Sequence, residues 1–308
     1  MAQAHNQAQR LTVEPGAAAD GMRRIDRKSR NENFPVASRL LAVSRRPHVM
    51  AFYRFARAAD DIADSPSVPD VRKLARLAAM KAMLSGETPS DAEDVDATEL
   101  AAAAALRESL AETGVSAIHA EQMLQAFERD VRQPVNTSWS DLLTYCRYSA
   151  APVGRFLLDL HGELDGRRAT ETGRASDALC AALQIINHIQ DCKRDWESLG
   201  RLYVPLAWLR GAKLKPDVLS EPRSSEDLRG VIERMLDGVD QLLVTARPLV
   251  GLIRDRRLRI EAAVIYLLAK RLAGRLRRSD PLEARPSLSA LEKALCAGHG
   301  LLIGLLDR

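Results

Sequence analysis

Residues 183–196, LQIINHIQDCKRDW, most limit what this chain can fold into. Wound at about 100° per residue, Gln184, Asn187, Asp191 and Asp195 share one stripe. Ile185, Ile189, Cys192 and Trp196 form a separate apolar face. Gln190, Lys193 and Arg194 point elsewhere, where solvent is expected. The helix therefore has two polar faces, and an amphipathic surface helix needs only one.

Residues 52–64, FYRFARAADDIAD, repeat the idea. Tyr53, Arg57, Asp60 and Asp64 fall on one narrow stripe, with Asp61 beside it. Phe52, Phe55, Ala56, Ala59, Ile62 and Ala63 take the other side. Two carboxylates one turn apart repel, more so in a cleft, unless a cation lies between them. Hard oxygen donors with an amide carbonyl suit Mg²⁺, commonly shared with a substrate's phosphates. Arg57 and Tyr53 would then donate to phosphate oxygens. A lone DDxxD helix is usually a solvated face; two such stripes, each opposite an apolar face, favour a metal clamp. His188 borders the second stripe and reads better as a packing or hydrogen-bonding group than as a ligand.

The rest of the chain predicts an all-α protein. Aromatics make up only 4% of a chain dominated by alanine and leucine, which favours helix over strand. No alternating strand pattern or fixed-period repeat is visible. Residues 1–30 are polar and aperiodic and read as a disordered tail, leaving one helical domain over 31–308. Breaks fall at 65–70, 85–98, 133–140 (with Ser140 as a helix cap), 161–167, 210–225 and 278–287. A net charge of +4, with arginines often beside acids, argues against nucleic-acid binding. RDRRLR (254–259) reads as a solvated face. The four cysteines form no CxxC pair, which fits a reduced, cytoplasmic setting. No secretory signal, membrane-spanning stretch, P-loop, GxGxxG or GxSxG is present.

With these motifs in hand, the chain resembles the squalene/phytoene synthase family from about Asn31 onward. FYRFARAADDIAD is similar to its first aspartate-rich motif. ALQIINHIQDCKRDWESLGRLYVP is similar to its second, running into a GRxYxP element at 200–205. YCRYSAAPVG (145–154) is similar to the tyrosine segment between them. ENFPVAS with YCRYSA resembles the branch that hydrates presqualene diphosphate to hydroxysqualene in hopanoid biosynthesis. Ala151 stands where that branch often has Asn. Gln190 stands where condensing synthases usually carry a basic residue, so one phosphate contact is lost.

The resemblance implies a single-domain isoprenoid synthase helical bundle with a central active-site cavity. It implies that Asp60, Asp61, Asp64, Asn187, Asp191 and Asp195 hold two or three Mg²⁺. Arg57, Gln184, Arg201, Tyr266, Asn31 and Asn33 would bind the diphosphate. Tyr53, Tyr145 and Tyr203 would line the reacting end. It also implies coupling to a presqualene diphosphate synthase and to an enzyme that reduces hydroxysqualene. The tail GHGLLIGLLDR reads either as a final packing helix or as a peripheral membrane contact at the inner face. The rival readings are a condensing squalene or phytoene synthase, a non-enzymatic assembly factor of the same fold, and a plain helical scaffold.

Overall fold

The computed structural model describes residues 15–28, 40–88 and 96–306. They form helices α1 (Pro15–Lys28), α2 (Arg46–Ala63), α3 (Asp70–Ser85), α4 (Ala97–Thr113), α5 (Ile118–Arg132), α6 (Trp139–Ser149) and α7 (Ala151–Leu160). Then follow α8 (Ala169–Leu199), α9 (Leu206–Gly211), a 3-10 turn (Pro216–Ser220), α10 (Glu226–Ala246), α11 (Leu249–Leu252), α12 (Arg256–Leu276) and α13 (Ala290–Leu306). No strand occurs among the described residues, as the composition predicts.

The 31-residue α8 is the axis, flanked by α6, α7, α10, α11 and α12. On the other side α2 packs on α3, α4 and α5, and α5 joins the halves through α6 and α7. The apolar face of α2 is buried as its periodicity requires, and Phe52 stacks on Phe156 of α7 at 4.1 Å.

One backbone feature positions the site. Residues after α8 pair with those before α6 through a single parallel bridge, Val135 to Leu202. Leu202 N donates to Pro134 O (2.8 Å) and Asn136 N donates to Leu202 O (2.9 Å). The reversal out of α8 uses Gly200 at φ 64, a conformation that costs a side-chain-bearing residue free energy. Arg201 and Tyr203 are thereby folded back against α5.

Two expectations need correction. Part of the expected tail is helix α1, packed on α4. Met22 and Ile25, three residues apart, turn toward the core, and Arg54 of α2 grips Asp26 with two hydrogen bonds (2.8 and 2.7 Å). The cap of α6 is Ser138, whose hydroxyl accepts from Asp141 N, and not Ser140.

Candidate diphosphate and metal site

The two aspartate stripes approach each other where α2 and α8 end. Arg57 Nη1 donates to Asp60 (2.8 Å), and its Nε lies 3.3 Å from Asp61. Asp64 accepts from Arg201, which is itself buried and lies 4.0 Å from Asp130. Asp191 is held by Arg285 through two bonds of 2.6 and 3.0 Å. Asp195 is buried and accepts from Arg194 at 3.1 Å. Asp64 also acts electrostatically on Arg194, which links the two motif helices.

Asp60 carries the strain of this arrangement. Burial, then the charge of Asp64, lifts its pKa from the ordinary 3.8 to about 7, and Arg57 offsets this only in part. A divalent cation at this position would relieve the repulsion.

Among the described residues no three His, Cys, Asp or Glu side chains stand close enough to hold an ion by themselves. That still fits Mg²⁺, which keeps waters and takes one or two carboxylates alongside substrate phosphates. The donors are all oxygen, as a hard cation prefers. A polar pocket opens beside Asp64, lined also by Asp70, Lys73, Asp130, Ser198 and Arg201.

Behind the stripes lies a buried tyrosine pair. Tyr145 donates to Asp130 Oδ2 (2.7 Å) and Tyr203 to Oδ1 (3.1 Å), with the hydroxyl oxygens 3.4 Å apart. Burial holds both phenols well above their usual pKa, with Asp130 adding to the effect. Burial also raises Asp130, against Arg201 and the two tyrosine hydrogen bonds. The pair thus stands as two neutral phenols on one carboxyl group.

The other predicted residues are placed as follows. Tyr53, Gln184 and Asn187 are half-buried on their stripes. Tyr266 is half-buried on α12, which packs along α8. Asn31 and Asn33 lie outside the described residues. His188 is buried, its ring stacked on Tyr203 at 3.6 Å. Gln190 corrects the reading: it is buried rather than solvated, and its Nε2 donates to Pro286 O. The loop before α13 covers that side of α8.

Two residues escaped the sequence reading. Asp130 lies three positions after buried Phe127 on α5, and an acid on an apolar stripe was the available signal. Arg285 lies 94 residues from Asp191 and had no local signal.

The squalene/phytoene synthase family model matches residues 27–292. The hydroxysqualene synthase of Rhodopseudomonas palustris is 40% identical over 269 residues, 87% of each chain. That of Sinorhizobium fredii is 38% identical over 90% of this chain and 89% of its own. A crystal structure of the squalene synthase HpnC from Alicyclobacillus acidocaldarius superposes with a TM-score of 0.67 at 31% identity, covering 86% of this chain and 95% of that one.

Proposed function

Because the chain belongs to the squalene/phytoene synthase family, we propose that it converts presqualene diphosphate and water to hydroxysqualene and diphosphate, with Mg²⁺. The observation that carries this reading is that relatives named hydroxysqualene synthase match along about nine tenths of the chain. The site chemistry agrees with it.

Asp60, Asp64, Asn187, Asp191 and Asp195 would hold the metal, with Asp61 steadying Arg57. Mg²⁺, when bound, supplies positive charge to the diphosphate as the C–O bond breaks. Arg57 adds donors to the same oxygens. Gln184, Tyr266 and Arg201 orient the diphosphate, Arg201 from its buried position between Asp64 and Asp130. Tyr53, Tyr145 and Tyr203 bring aromatic faces to the carbocation. Tyr145 and Tyr203 are neutral and buried, so they shelter that cation from stray water without reacting as phenolates.

The substrate comes from an enzyme that makes presqualene diphosphate, and the alcohol passes to a reductase. A C30 substrate also calls for a membrane surface. None of the described helices is long and apolar enough to span one. Helix α13, however, turns Leu291, Leu295, Leu302 and Leu306 outward, 57 to 79% exposed. A peripheral contact through this stripe is part of the proposal.

The test is a product assay with Mg²⁺, using presqualene diphosphate in one reaction and farnesyl diphosphate in another. Hydroxysqualene from the first alone supports the reading. A C30 hydrocarbon or presqualene diphosphate from farnesyl diphosphate replaces it with a condensing synthase. No product from either points to a non-enzymatic role.

A further inference from the structure

The geometry points to His188 as the residue that seats the water adding to the carbocation, a positioning role that makes the reaction end in an alcohol. This inference rests on the functional reading above.

His188 lies on α8 between the metal motif and the tyrosine pair. Its ring stacks on Tyr203 at 3.6 Å and 16°, and lies 5.8 Å from the Tyr145 ring. The Nδ1 edge is 3.9 Å from Asp195 Oδ2. That is too long for a hydrogen bond, so the ring is held by its stack and not by Asp195.

Nε2 is buried and has no hydrogen-bond partner among the described residues. Neither neighbouring tyrosine satisfies it, because both direct their protons to Asp130. Buried polar atoms are rarely left unsatisfied. A water molecule would satisfy it: hydrogen-bonded to Nε2, the water keeps an oxygen lone pair free.

In the reaction that lone pair forms the C–O bond to the carbocation. The proton released from the water goes to the departed diphosphate, which is a base. His188 gains no net proton; it fixes where the oxygen waits. An aromatic ring lacking Nε2 would keep the stack and lose the seat.

The experiment uses the full chain with Mg²⁺ and presqualene diphosphate, reading diphosphate release and alcohol yield separately. His188→Phe retains the stack on Tyr203. Its alcohol yield per diphosphate released is expected to fall about tenfold, the factor that one positioning hydrogen bond carries. The missing product should appear as proton-loss hydrocarbons or isomeric alcohols. His188→Gln, which keeps an acceptor, should recover most of the alcohol. An unchanged ratio in His188→Phe overturns the inference alone, as does an equal fall of release and alcohol in both variants. A wild-type chain that makes no alcohol overturns the functional reading, and this inference with it.

Discussion

Replacing Asp60 by Asn should make the metal-free protein more stable while removing its turnover. The folded Asp60 keeps its proton to about pH 7, whereas the ordinary value is 3.8. Between those values the folded chain binds more protons than the unfolded one, so this site's stability contribution falls as pH rises. At about 1.4 kcal/mol per unit the displacement sets a ceiling of about 4 kcal/mol. The Asp60 side chain is 28% exposed, and solvent screening reduces the figure to about 2 kcal/mol. Asn cannot ionise and escapes the cost. In EDTA at pH 8 the variant should therefore melt about 4 °C higher than wild type. The gap should be absent near pH 4, grow toward pH 7 and stay level above. Adding Mg²⁺ with diphosphate should reverse the order, because only wild type keeps the ligand. Thermal melts of both proteins across pH, with and without the ions, make the test. A variant less stable at pH 8, or a gap independent of pH, would refute the electrostatic account. Near-normal turnover would sink the metal clamp.

Other outcomes follow from the same contacts. Asp130→Asn removes an acceptor shared by two buried phenols and should cost about 1–3 kcal/mol in urea unfolding, with turnover falling as the tyrosines lose their register. Gly300→Leu should loosen α13, because a Cβ there would meet the Val264 backbone at 2.8 Å; a loss of about 1–3 kcal/mol, with faster proteolysis of the C-terminal segment, is the measurable sign. Arg285→Gln removes the two-bond hold on Asp191 and leaves only Arg194 at 3.7 Å, and calorimetry of Mg²⁺ binding without substrate should show tighter uptake. Leu295→Asp combined with Leu302→Asp should abolish sedimentation with anionic phospholipid vesicles, while turnover of detergent-dispersed substrate stays at the wild-type level.

The two carboxylate stripes were legible because helical periodicity is local: once residues 52–64 and 183–196 are wound, the faces of Asp60, Asp64, Asp191 and Asp195 follow from spacing alone. The apolar faces of α2 and α8, and so the all-helical class, followed the same rule. Gln190 shows where the rule stops. Its angle on the helix was right, but whether that angle meets water depended on a loop 96 residues away. The α1 helix was missed because its few apolar residues make sense only against α4 and α2.

The partners that define the site belong to the tertiary structure. Arg201 reaches Asp64 across 137 positions, Tyr203 reaches Asp130 across 73, and Arg285 reaches Asp191 across 94. No periodicity spans such separations. These pairs exist because the bridge between Val135 and Leu202 and the reversal at Gly200 bring distant backbones within a side chain's length. Sequence placed the charges on their helices; docking of the helices decided which charge faces which, and left His188 Nε2 buried beside them.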